Sequence, residues 1–69
     1  MDISTKIKLA TTYAKITEAE LARRLDTSSQ AFGQRIKTGK FTSAELEKIA
    51  AALGANYHFG FTFPDGTEI

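Results

Sequence analysis

Gln30, Gln34 and Lys37 recur at helical spacing inside the stretch LDTSSQAFGQRIKTGKF, residues 25–41, so they share one face. Amide side chains donate and accept hydrogen bonds together, and an ammonium adds three donors and a positive charge. Ala31 and Gly33 lie alongside and leave little bulk between the helix backbone and anything that approaches it. Only Phe32 and Ile36, four apart on the opposite side, offer themselves to a core. A glycine in mid-helix costs about 1 kcal/mol relative to alanine, so the segment is a costly way to make a packing helix. It is a sensible way to make a polar contact surface.

The rest of the chain carries little other chemistry. There is no Cys and one His, His58, and the carboxylates are scattered over helix-capping positions, so no nucleophile, acid–base pair or metal-ligand set assembles. Neither an enzyme nor a bound metal or cofactor is expected. GQRIKTGKF has glycines and a lysine, but five residues separate the glycines, no Ser or Thr follows Lys40, and the stretch lies on a helix. It is not a phosphate-binding loop. Sixty-nine residues allow one folded unit. No apolar run is long enough for a membrane span and no signal-peptide pattern opens the chain, which points to a soluble, cytoplasmic protein. Net charge is only +1, yet residues 1–42 carry eight Lys or Arg against four Asp or Glu, and residues 43–69 carry one against four. A basic front is followed by an acidic back.

Four short helices must position the polar face. Ile3, Ile7, Ala10 and Ala14, with Leu9 and Tyr13 widening the stripe, predict a first helix over 3–14. TEAE from Thr17 and TSAE from Thr42 are capping boxes, each preceded by an apolar staple residue, Ile16 or Phe41. They open a second helix ending near Leu25 and a fourth whose buried stripe is Leu46, Ile49, Ala50 and Leu53. Ser28 caps the third helix, 28–38, and Gly39 and Gly54 close the third and fourth. Between the second and third, only Asp26 and Thr27 are free, which forces a sharp angle and makes a helix-turn-helix. After Gly54 the period falls to two: Tyr57, Phe59, Phe61 and Phe63 alternate with His58, Gly60 and Thr62 before the Pro64-Asp65-Gly66 turn. The expected architecture is mainly α with a small β element: a compact bundle of four or slightly more helices (1–54) and a C-terminal β-hairpin (55–69).

Residues 17–54, TEAELARRLDTSSQAFGQRIKTGKFTSAELEKIAAALG, resemble the helix-turn-helix domains of the Cro and lambda-repressor type, the XRE-like family. Leu21-Ala22, Leu25, Ser28, Phe32, Gly39 and the closing LEKIAAALG carry the resemblance, and the first helix extends it to residues 3–54. Three positions depart from the pattern: Glu18 stands where Gln is common, Asp26 replaces a turn Gly, and the core pair Phe32 and Ile36 is spaced by four instead of three.

The resemblance implies a lambda-repressor-like bundle that binds double-stranded DNA with its third helix in the major groove. Ser29, Gln30, Ala31, Gln34 and Arg35 would face base edges, where Gln suits adenine and Arg suits guanine. Thr17, Glu18, Ser28, Lys37, Thr38 and Lys40 would lie along the phosphates, with Glu18 either repelling a phosphate or accepting from cytosine N4. Tyr57, Phe59, Phe61 and Phe63 would be shared between two chains whose strands join across a two-fold axis, since operators of this class come as paired half-sites. The implied protein is a small homodimeric transcriptional regulator, a repressor similar to those of phages and mobile elements. The alternative is an antitoxin-like protein-interaction module that grips a partner with the aromatic strand.

Overall fold

The computed structural model describes residues 2–69. Four helices make up a small, mainly α domain: α1 (Ile3–Tyr13), α2 (Glu18–Arg24), α3 (Ser29–Thr38) and α4 (Ser43–Leu53). Among the described residues no helix is long and apolar enough to cross a membrane. Helix α2 is central and packs on each of the other three. Leu21 and Ala22 have no exposed surface, and around them Ile7, Phe32, Ile36, Leu46 and Ile49 close the core. Ile16 and Phe41, the residues before two of the caps, pack on the same cluster.

Every helix begins at a side-chain cap. Asp2, Thr17, Ser28 and Thr42 each accept from the backbone N–H three residues on, at 2.8, 3.0, 3.0 and 3.1 Å. These satisfy donors that a helix start leaves orphaned. The box at Thr42 is complete, because Glu45 returns a carboxylate oxygen to the Thr42 N–H at 2.9 Å. The box expected at Thr17 is only half formed. Glu20 turns forward to the Arg23 and Arg24 guanidinium groups, which lie one turn along its own helix. Two charge-assisted partners outcompete one neutral N–H. They hold the Glu20 carboxyl down at about 2, from an ordinary 4.5.

Three helices end in paired backbone hydrogen bonds around a left-handed residue. In α4 that residue is Gly54, but in α1 it is Lys15 (φ 61°) and in α2 Asp26 (φ 59°). The Ile16 N–H reaches the Thr11 carbonyl and the Thr27 N–H the Ala22 carbonyl, as the Schellman geometry requires. Asp26 was legible as a turn residue, because a short polar side chain tolerates this conformation. Nothing local marked Lys15.

The buried face of α1 differs from the expected stripe. Ile7 and Thr11 point inward, whereas Leu9 and Tyr13 are 54% and 90% exposed and Ala10 is exposed as well. Thr11 enters the core because its hydroxyl donates to the Ile7 carbonyl at 2.6 Å, leaving no unpaired polar group.

The C-terminal tail does not form the expected two-stranded hairpin. One isolated bridge, Thr62 to Glu68, is all that pairs as sheet. The turn itself forms: the Gly66 N–H donates to the Phe63 carbonyl at 2.9 Å, and Asp65 accepts from the Thr67 N–H at 2.9 Å. A lone ribbon gains little stability unless one face is covered, and past Tyr57 every tail residue is exposed.

Two predictions follow from the helix ends. Lys15→Gly relieves a left-handed side chain that costs about 1–2 kcal/mol, against about 0.5–1 kcal/mol of added chain entropy. Urea unfolding should therefore show a modest gain in stability, and a loss would mean that the Lys15 side chain is held by something else. Glu20 has a folded pKa below its unfolded one, so its contribution is present above about 4.5 and is lost as pH falls toward about 2. In Glu20→Gln, acid unfolding should depend less steeply on pH across that window.

Candidate nucleic-acid interface

Two apolar anchors fix the rotation of α3. Phe32 and Ile36 are 4% and 6% exposed, and the turn through Asp26 delivers the chain to the Ser28 cap without slack. Ser29, Gln30, Gln34 and Lys37 are left on the solvent side. These four line a shallow concavity whose other walls are Lys8 of α1 and Glu18, the first residue of α2. Gly33 lies between them, and a Cβ built there meets nothing within 4 Å. The chain's own packing therefore gives no reason for glycine at that position.

The remaining expected contact residues lie elsewhere. Ala31 and Arg35 are on the flank of α3 that faces α4, about a quarter-turn away from the glutamines. The Arg35 guanidinium pairs with Glu45 at 2.6 Å, donates to the Lys40 carbonyl at 2.9 Å and sits 5.2 Å above the Phe41 ring. Phe41 in turn meets Phe32 at 6.5 Å between ring centres. Arg35 thus joins the end of α3 to the start of α4, and the same Glu45 that receives it completes the α4 cap. Hydrogen bonds from Thr42 and Arg35 hold the Glu45 carboxyl below its ordinary range.

Ser28 and Thr17 are occupied as caps. The start of α2 is a poor anion site, because a seven-residue helix carries Glu18 and Glu20 in its first turn. Thr38 donates to the Arg35 carbonyl and accepts from the Lys40 N–H, so its hydroxyl is used within the α3–α4 connection. Lys37 and Lys40 are exposed and take part in none of the ion pairs among the described residues.

Lys8 is the residue whose position the sequence left open. It lines both the concavity with the glutamines and a second one between the start of α1 and the end of α3. A hydrogen bond from Ser4 to the Ile36 carbonyl, 2.7 Å, ties these two helices together and brings Lys8 beside Lys37. The two arginines of the basic front are used internally: both pair with Glu20, and Arg24 also donates to the Ala52 carbonyl at the end of α4. In the tail, Tyr57 packs against the core, while Phe59, Phe61 and Phe63 do not.

Among known protein families, curated proteins and solved structures, none matches this chain.

If Gly33 answers only to something outside the chain, Gly33→Ala should stabilise the free protein by about 0.5–1 kcal/mol through helix propensity. Urea titration of the two proteins measures this. A loss of stability would show that packing, not approach from outside, selects glycine.

Proposed function

We propose that this chain is a sequence-specific double-stranded DNA-binding protein, a small homodimeric repressor that places α3 in the major groove and acts in the cytoplasm. The observation that carries the reading is the solvent face of α3: two glutamines one turn apart, bare backbone at Gly33 between them, and unpaired lysines at its edge. The likeness of residues 3–54 to the Cro and lambda-repressor type, with its short second and third helices and tight turn, supports the same reading.

In this reading Gln30 and Gln34 contact adenine N6 and N7, and Ser29 reaches the adjacent base or phosphate. Glu18 shares their concavity and accepts from cytosine N4. Lys8, Lys37 and Lys40 neutralise phosphates and set the register without reading sequence. Arg35, tied to Glu45 and Lys40, acts by holding the α3–α4 connection. No step of catalysis and no cofactor is involved.

A second reading is favoured by a specific observation. Phe59, Phe61, Phe63 and Ile69 are open to solvent, as a protein-interaction module of the antitoxin kind would require.

Selection from random DNA duplexes at about 150 mM salt, where nonspecific contacts are weak, tests the DNA reading. An inverted repeat with half-sites one helical turn apart should be enriched. Gln30→Ala and Gln34→Ala should each relax one position of the half-site, at about 1–3 kcal/mol of lost discrimination. Absence of any enriched sequence, with binding that fades uniformly as salt rises, would overturn it.

A further inference from the structure

The tail holds an apolar surface with nothing on it. Phe59, Phe61 and Ile69 are 76%, 65% and 69% exposed, and the Phe59 and Phe61 rings meet edge-on at 6.2 Å to form one ridge. The tail closes on itself and not on the helices: Phe61 and Ile69 exchange backbone hydrogen bonds, with Gly60 pressed against the Ile69 carbonyl. The Cα radius of gyration is 13.2 Å, where a compact chain of this length has about 11 Å.

The same chain has an apolar groove with no occupant. It runs between α1 and α4, holds about 400 Å³, and is walled by Ile3, Leu9 and Ala10 on one side and Leu46 and Leu53 on the other. Tyr57 sits at one end and Lys6 at the lip, and no residue of α3 contributes to it. Leu9 is more than half exposed there although its neighbours in the groove are apolar.

We infer that the α1–α4 groove receives the Phe59–Phe61 ridge of a second copy of this chain, so that two copies exchange tails reciprocally. Charge favours this occupant: the tail after Ala55 carries Asp65 and Glu68 and no Lys or Arg, while α1 carries Lys6 and Lys8 and no Asp or Glu. Area favours it too. The exposed parts of the three phenylalanines and Ile69 amount to about 450 Å² per tail, and covering that and a matching groove twice buries about 1,800 Å², the size of a stable interface. Each copy supplies one ridge and one groove, as a two-fold interface requires. The exchange leaves the Gln30 and Gln34 face uncovered. It rests on the homodimer proposed above and not on DNA binding.

Sedimentation equilibrium of the full chain separates the possibilities, since one chain is 7.5 kDa. The unaltered protein is expected to be dimeric at about 100 µM, with Leu9→Glu and Phe61→Glu each raising the dimer dissociation constant at least about tenfold. Both positions are exposed, and circular dichroism checks that the helices persist. Mixing the two variants should recover dimer, because one copy keeps an intact groove and the other an intact tail. Leu9→Ser and Phe59→Ser, milder changes at the same surfaces, should weaken the dimer in the same direction. A protein that is monomeric at that concentration overturns the inference. So does a dimer that responds to Phe61 and ignores Leu9, which means tails pair with each other. Loss of DNA binding with this pattern intact would sink only the DNA reading.

Discussion

Three residues, Leu25 to Thr27, separate the end of α2 from the cap of α3, and the chain must reverse within them. The reversal depends on Asp26 entering the left-handed region and on the Thr27 N–H reaching back to the Ala22 carbonyl. Ala22, with no exposed surface, keeps the inner side of the turn small enough for α3 to close on α2. Once the turn is set, Phe32 and Ile36 leave α3 no rotational freedom, because both must enter one core. The orientation of Gln30, Gln34 and Lys37 is a consequence of that geometry, with no specific contact of their own.

The basic residues divide by type. Arg23, Arg24 and Arg35 each spread several donors over a carboxylate or a helix-terminal carbonyl, and so brace α2 against α4 and α3 against α4. A planar fork with five donors suits that use, while the strongly hydrated lysine ammonium stays in water. Lys8, Lys37 and Lys40 remain at the surface around α3. The basic balance of the first half of the chain is therefore partly structural, and only its lysines bear on a charged partner.

A domain this small buries a limited core, and here the core is complete without the tail beyond Tyr57. The apolar side chains that follow it are a surplus the bundle does not use. Their burial against another chain would add stability that one copy lacks, which couples folding to assembly.

Local rules wrote most of the helical framework. Four caps, the complete box at Thr42, the glycine ends and the left-handed Asp26 were legible because each involves hydrogen bonds between residues two to five apart, and such geometry depends on the identity of near neighbours. The anchors Phe32 and Ile36, and hence the outward glutamines, were legible for the same reason: helical periodicity alone assigns their faces. Leu9, Tyr13 and Thr11 were misplaced because a stripe of seven candidate positions admits several rotations, and only contact with α2 and α4 chooses one. The partner of Glu20, the engagement of Arg35 and the arrival of Lys8 beside Lys37 were decided by tertiary structure. Arg24 meets Ala52 and Ser4 meets Ile36 across separations of 28 and 32 residues. No local pattern encodes such a distance, because it follows from how the whole core packs. The alternating aromatics announced a strand, but pairing needs a covering surface as well as a pattern, and the single chain does not supply one.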